Sequence, residues 1–367
     1  MATDQKKSKM EDSLAKKKPR PILAEELIRL PELQKSFIGI LKEKKGISKA
    51  IAVLGPILPS PQHLKRCSGL RIYLAPVDKM NESAEGLKKL LSDKGFDLTL
   101  FEDELEISDV VATPPRTKSQ MEYASKFWPV NFHPDLNLEA LISGSLFNDE
   151  QLASLEFCMR LAIAAAKDSA IGSSECNGSA VIVNPDDATI LSIAASSQDK
   201  HPMWHASMLA VDLVAKVQGG GAWKLIRDSN SETDTLKRKH IDSLPLRYPE
   251  SIFKIEVPKE DGLSFIAKNQ KKKQESRKEF DDKCGPYLCT GYWAFLLQEP
   301  CSLCAMALLH SRVSRIFYGA ANPKTGILGS RATLHSVPGL NHRYQVWSEL
   351  LRNECEETLK ACRTIDD

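Results

Sequence analysis

No apolar run in this 367-residue chain approaches the roughly 18 to 20 residues that a membrane span needs, so no transmembrane anchor is expected. The N-terminus, Met1-Ala2-Thr3-Asp4-Gln5-Lys6-Lys7, carries charge with no apolar stretch behind it, which argues against a secretory signal. Neither sign of charge is in excess. Fifty Lys plus Arg oppose 48 Asp plus Glu, a net +2, so affinity for nucleic acid has to come from local clustering. Internal repeats are missing too. What is there, 42% hydrophobic and 27% charged residues, is the composition of a globular protein of two or three domains and excludes collagen-like, mucin-like and wholly disordered chains. Nine cysteines, an odd number in a chain expected in a reducing compartment, argue against a disulfide framework and turn attention to thiolates as metal ligands or nucleophiles. Cys67, Cys158, Cys176, Cys355 and Cys362 stand singly among apolar or helical residues and read as buried filler.

Residues 1–24 contain the run Lys16-Lys17-Lys18-Pro19-Arg20 and read as a basic mobile tail, an import address or a phosphate-touching arm. From 25 to about 135 the pattern is a compact α/β unit. Ala50–Leu58 and Gly69–Ala75 read as strands, Glu82–Lys94 as a helix with Leu87, Leu90 and Leu91 inward, and Phe96–Ile107 as a further strand; Lys126-Phe127-Trp128-Pro129 closes the unit. A second domain is expected over 145–367. Asn148-Asp149-Glu150 can cap a helix to about Lys167, and Ala180–Val183 and Thr189–Ile193 flank Asn184-Pro185-Asp186-Asp187 as a hairpin. A helix from the first turn at Pro202 runs through Ala206, Leu209, Ala210, Leu213, Val214 and Val217 to the stop at Gly219-Gly220-Gly221. Residues 228–283, with Lys271-Lys272-Lys273, read as a polar insertion, after which Tyr292–Leu297, Cys301–Ser311 and Val313–Tyr318 follow as strand, helix and strand.

One constellation carries specific chemistry. His205-Ala206-Ser207 heads one helix, and Pro300-Cys301-Ser302-Leu303-Cys304 heads another. Two thiolates two residues apart can grip one ion from a single helical turn, and Zn²⁺ accepts Cys sulfur and His nitrogen tetrahedrally. A helix N-terminus favours the deprotonated thiol that a ligand must be. A C-x-x-C pair alone is a weak signal, and these cysteines could be core thiols. The order strand, strand, helix, strand, helix, strand, with His205 and the Pro-Cys in register, is the scaffold of the zinc nucleoside deaminases, whose signature is H-x-E…P-C-x-x-C.

Leu288-Cys289-Thr290-Gly291-Tyr292, the segment from Gln298 through Cys301 and Cys304 to Arg312, and Phe317-Tyr318-Gly319 resemble the eukaryotic members of the tRNA adenosine deaminase family over roughly the second half of the chain. The first half, ending Lys126-Phe127-Trp128-Pro129, resembles the additional N-terminal domain of the non-catalytic third subunit of that heterodimer. The resemblance implies a cytidine deaminase-like three-layer α/β/α domain with a mixed sheet, preceded by a smaller α/β domain. It also implies Zn²⁺ on His205, Cys301 and Cys304, a catalytic partner subunit carrying His-x-Glu, tRNA as the other partner, no membrane, and residence in nucleus and cytoplasm.

The departure from the family pattern decides the expected role. A zinc deaminase needs a carboxylate two residues after the ligand His to move protons, and here that residue is Ser207, whose hydroxyl does not shuttle protons near neutral pH. The family's Asn after the second strand is replaced by Ala194-Ala195-Ser196-Ser197. Glu299 resembles a residue that active relatives carry beside their catalytic Glu and is not expected to substitute for it. The expected function is therefore a non-catalytic, structural and tRNA-positioning subunit of an enzyme that makes inosine at the wobble position, inactive alone, with no catalytic residue of its own. The alternatives are an active stand-alone zinc deaminase with an unconventional proton shuttle and a zinc-stabilised RNA-binding scaffold. Candidates for nucleic-acid contact are Lys16, Lys17, Lys18, Arg20, Lys126, Lys271, Lys272 and Lys273, and a subunit surface is expected at Met306, Leu309, Phe317 and Tyr318.

Overall fold

The computed structural model describes residues 18–77, 83–169, 178–225, 244–257, 263–265 and 288–363. The chain divides into two compact units, Glu25–Ser143 and, separately, Gly144–Asp367 together with Met1–Ala24. The first strand, β1 (Arg20–Pro21), belongs to the second of these.

The unit Glu25–Ser143 contains β2 (Leu33–Ile40), α1 (Ile47–Ile57), β3 (Cys67–Ser68), β4 (Arg71–Pro76), α2 (Ala84–Asp93), β5 (Glu106–Val111), α3 (Lys118–Ala124) and α4 (Leu136–Ile142). Its sheet runs β3-β4-β2-β5 with every pair antiparallel. Alternation along β2 and β4 supplies two cores: Phe37, Ile72 and Leu74 pack with Ala50 and Leu54 of α1 and Leu87 and Leu91 of α2, while Ile38 and Tyr73 pack with Val110 and Trp128. Ser83 caps α2 through the Gly86 N–H, Thr117 caps α3 through the Gln120 N–H, and Asp135 caps α4.

Three expectations fail in this unit, of which the first is that Leu90 of α2, expected inward, is 39% exposed. Ala50–Leu58 is not a strand: Ala50 and Leu54 are buried one turn apart on α1, and a short apolar run satisfies either period until a neighbour selects one. The expected strand over Phe96–Ile107 is a 3₁₀ turn at Leu98–Leu100 followed by β5, which begins at Glu106. The strand at the centre of the sheet, β2, was not among the expected elements.

The second unit is built on a seven-stranded mixed sheet. Its elements are β1, α5 (Asp149–Ser169), β6 (Ser179–Val183), β7 (Ile190–Ala195), α6 (Ala206–Val217), β8 (Leu246–Tyr248), β9 (Trp293–Gln298), α7 (Ser302–His310), β10 (Arg315–Ala320), β11 (Gln345–Ser348) and α8 (Arg352–Arg363). The strand order is β1-β11-β10-β9-β6-β7-β8. A reciprocal capping box starts α5, in which Asn148 Oδ1 accepts from the Gln151 N–H and Gln151 Oε1 accepts from the Asn148 N–H. The hairpin turn is held by Asn184 Oδ1 accepting from Asp186 N–H and Asp187 Oδ1 from Thr189 N–H.

The sheet is buried on both faces. Ala180, Ile182, Ala294, Leu296, Ile316 and Tyr318 pack with Leu209, Leu213, Ala305 and Leu308 of α6 and α7. On the opposite face, Ser179 Oγ donates to Ala162 O of α5, and α8 packs on α5 and β10, with the Cys362 thiol reaching Ala166 O. This is the three-layer α/β/α arrangement expected for the domain. Among the described residues no helix is long and apolar enough to cross a membrane.

Three corrections apply here. The segment expected to end a free tail is instead an edge strand: Arg20 and Pro21 pair with Ser348 and Trp347, and Ile22 N–H donates to Val346 O. The expected start at Pro202 gives way to Ala206, because residues 197–204 are folded into a turn by Ser197 N–H donating to Trp204 O and His201 N–H to Ser197 O. Part of the expected polar insertion is integral to the fold. Leu246–Tyr248 extends the sheet as β8 beside β7, and Phe265 is buried against Trp293 and Phe295. Residues 228–243, 258–262 and 266–283 of that insertion lie outside the described residues.

Candidate metal centre

Topology alone brings the candidate ligands to one edge of the sheet. Strands β7 and β9 both run antiparallel to β6 and flank it, so their C-terminal ends emerge on the same side. Helix α6 follows β7, α7 follows β9, and the two helices pack together over one face. Their first turns therefore meet where β7 and β9 end, the edge at which open α/β sheets bind ligands. His205 is the N-cap of α6 and Cys301 the N-cap of α7, both with extended backbone and neither spending its side chain on the cap.

The side chains converge. The ligand atoms of His205, Cys301 and Cys304 lie within 4.8 Å of one another, with His205 Nδ1 3.7 Å from Cys301 Sγ. A tetrahedral zinc with Zn–S about 2.3 Å and Zn–N about 2.0 Å sets neighbouring donors roughly 3.5 Å apart, so one nitrogen and two sulfurs in this arrangement fit that ion. Both cysteines are buried. Elsewhere burial makes thiols inert: it raises Cys289 and Cys355 to about 12 and pushes Cys158 further up. Cys67 is half-buried, Cys355 and Cys362 are buried, and Cys176 lies outside the described residues.

Two further residues that the sequence singles out, Ser207 and Glu299, lie on or next to the elements that carry these ligand candidates. Ser207, in the first turn of α6, is buried. Glu299, the last residue before Pro300, is fully buried and its carboxylate is committed. Oε1 accepts from the N–H groups of Leu328 (2.8 Å) and Ser330 (2.9 Å), and Oε2 accepts from Asn322 N–H (3.0 Å) and the Ser330 hydroxyl. A Cβ at Gly326 would come within 2.4 Å of the Glu299 carboxyl carbon, so glycine lets that loop close on the acid. Glu299 therefore holds the 322–330 loop and has no free lone pair for a substrate. Where the family's Asn would stand, Ser196 and Ser197 spend their N–H groups on Gly178 O and Trp204 O.

Lys18 and Arg20 are exposed near the β1 edge, and Lys126 is exposed just after α3 in the Glu25–Ser143 unit. Lys16, Lys17 and Lys271 to Lys273 lie outside the described residues. The expected subunit surface is also revised: Leu309, Phe317 and Tyr318 are buried in the core, because the sheet is covered on both faces. The outward face of α7 is instead Leu303, Met306, Ala307 and His310, with Leu303 39% exposed. Sequence reasoning missed the Glu299 anchor and Gln198, whose amide contacts the His205 ring. Glu299 was visible beside the Pro-Cys but its four donors come from a distant loop, and Gln198 carries no spacing signal at all.

A comparison with models of known protein families finds no match. Whole-chain relatives are more informative. The chain is 32% identical over 359 residues to the "Probable inactive tRNA-specific adenosine deaminase-like protein 3" of Danio rerio, covering 93% of this chain and 94% of the relative. It is 31% identical to the protein of the same name from Homo sapiens over 351 residues, 91% and 90% of the two chains. It is 29% identical to the "tRNA-specific adenosine deaminase TAD3" of Arabidopsis thaliana over 320 residues, 72% and 77%. With that identity and coverage, the chain belongs to the tRNA-specific adenosine deaminase-like protein 3 family.

Proposed function

We propose that this chain is the non-catalytic, structural and tRNA-positioning subunit of a heterodimeric tRNA adenosine deaminase that forms inosine at the wobble position. The observation that carries the reading is a metal-ligand triad with no proton shuttle beside it. His205, Cys301 and Cys304 converge, Ser207 stands where a carboxylate is needed, and Glu299 is consumed by its loop. Zinc held by the three side chains would tie the heads of α6 and α7 together and contribute folding energy, since the site does not exist in the unfolded chain. The partner carries His-x-Glu and supplies the chemistry.

The outward face of α7 supports such a partner. Leu303, Met306, Ala307 and His310 recur at one face of a helix whose other side is already buried, and Met203 is 36% exposed on the turn before α6. A stable subunit interface buries roughly 1,600 Å² and has an apolar centre. The tRNA-positioning role falls to the Glu25–Ser143 unit and the basic side chains, with Lys126 exposed on that unit, since RNA recognition draws on phosphate contacts and shape.

The decisive experiment assays adenosine deamination in tRNA by the pure chain, by a catalytic homologue bearing His-x-Glu, and by the two together. Activity that requires both proteins is the expected result. Activity of the pure chain would replace this reading with a stand-alone deaminase, and RNA binding without a partner or activity would replace it with a scaffold. Ser207→Glu protein is expected to stay inactive alone, because a general acid works only within about 3 Å of a positioned base and the family's positioning Asn is absent.

A further inference from the structure

We propose that Gln198 is a positioning residue that holds the His205 ring in its metal-binding orientation. The inference rests on the zinc reading above and assigns a role to a side chain outside the ligand set. Gln198 is half-buried on the turn between β7 and α6, and that turn folds back on itself through Ser197 N–H to Trp204 O (2.9 Å) and His205 N–H to Met203 O (2.9 Å). The fold-back delivers the Gln198 amide to the far side of the imidazole, 2.5 Å from Nε2, while Nδ1 faces Cys301 Sγ at 3.7 Å. The ring is thus gripped from both ends.

The chemistry of the two ring nitrogens makes an amide suited to that place. A histidine that ligates through Nδ1 carries its proton on Nε2 and needs an acceptor there, and such outer partners fix the tautomer and ring orientation of metal ligands. The Gln198 carboxamide offers oxygen as an acceptor when rotated one way and NH₂ as a donor when rotated the other, two orientations that differ by a half-turn of one torsion. Without metal, Nδ1–H can donate to Cys301 Sγ while Nε2 accepts from the Gln198 NH₂, which is the arrangement of the contacting atoms here. With metal, the amide turns and its oxygen accepts from Nε2–H. One residue therefore serves the ring in both states, which neither an aliphatic side chain nor a carboxylate does.

The test measures zinc affinity of the full chain by competition with a chromophoric chelator, in parallel with thermal unfolding of the metal-free proteins. Gln198→Leu is expected to bind zinc roughly 10–100-fold more weakly, while loss of the one amide–imidazole hydrogen bond lowers metal-free stability by no more than a few degrees in unfolding temperature. Gln198→Glu, an acceptor matched to Nε2–H, is expected to recover wild-type affinity or exceed it. Nitrogen-15 NMR of the zinc-loaded wild type should show His205 protonated at Nε2 and ligated at Nδ1, and this reading stands even where Gln198→Leu fails to fold. Zinc affinity of folded Gln198→Leu within about threefold of wild type, or a loaded His205 protonated at Nδ1, overturns the inference while leaving the zinc reading intact. Wild-type protein that takes up no zinc overturns both, and because it is measured first the two failures are distinguishable.

Discussion

Polar side chains pin backbone in both units, as Ser179 does at Ala162 O and Ser192 at Ala210 O in the larger one, but among the described residues only the larger unit gathers His and Cys side chains at one point. In Glu25–Ser143 they are spent on the unit's own backbone: Trp128 Nε1 donates to Lys65 O (2.7 Å), Gln120 Nε2 to Glu26 O and Arg29 O, Asn131 Nδ2 to Gln62 O, and Arg66 to Leu58 O. In the larger unit three of them, His205, Cys301 and Cys304, point at one another across the heads of two helices. Strand direction explains the difference. A wholly antiparallel sheet returns by loops whose backbone must be pinned, whereas β7 and β9, running the same way on either side of β6, place two helix N-termini side by side. Even within the larger unit, Glu299 follows the pinning pattern one residue away from the metal-site proline.

The strongest test of that contrast removes a ligand. Cys304→Ala should abolish stoichiometric zinc and destabilise the larger unit by about 3 kcal/mol or more, a fall of roughly 6–12 °C in its unfolding temperature, while the unfolding of Glu25–Ser143 stays where it was. Metal analysis and differential scanning calorimetry of the full chain read both. Equal loss in the two units would erase the distinction.

Glu299→Gln comes next. An amide would aim an NH₂ group at the N–H donors that now surround the carboxylate, at a cost of about 3–5 kcal/mol, and would loosen the 322–330 loop. Hydrogen exchange at Leu328 and Ser330 measures it. A stable Glu299→Gln protein whose complex with the partner has lost activity would instead make Glu299 part of the chemistry.

In the smaller unit, the expected effects are milder. Gly39→Ala would bring a methyl within 2.7 Å of the Phe101 ring, an overpacking that costs about 1–3 kcal/mol. Urea unfolding should show that cost in Glu25–Ser143 alone, with zinc content unchanged.

The smallest effect is a pH dependence at the β1 edge. His335 donates from Nε2 to Ile22 O (2.9 Å), and burial holds its pKa below the ordinary value of 6.5 although that hydrogen bond pulls the other way. A depressed histidine contributes stability in full above its unfolded pKa and loses it as pH falls through the folded value. Hydrogen exchange at the Ile22 N–H, corrected for intrinsic rate, should therefore quicken on acidification from about pH 7.5 to about pH 5.5, and His335→Gln should flatten that change.

Legibility differed between the units for the same physical reasons. The hairpin from Ser179 to Ala195 and the helix from Asp149 were visible because turn and cap chemistry are local: Asn184, Asp187, Asn148 and Gln151 bond within three residues of themselves. Residues 50–58 were read as a strand because a nine-residue apolar run carries no unique period. Strand β8 was hidden in polar surroundings, since only its alternate residues Leu246 and Tyr248 turn inward. The revised subunit face has the same cause: Phe317 and Tyr318 look surplus until a second helical layer covers the sheet.

The residue types and spacing of His205, Cys301 and Cys304, and the serine at 207, are read from the chain by itself, because ligand softness and proton affinity belong to the side chains. The convergence of those ligands, the commitment of Glu299 to a loop some thirty residues on, and the approach of Gln198 to the back of His205 depend on contacts between segments far apart in the chain or folded back on themselves. Those contacts follow from strand order and helix packing, in which long-range burial outweighs local preference, and no pattern along the chain encodes which distant donor will meet which acceptor.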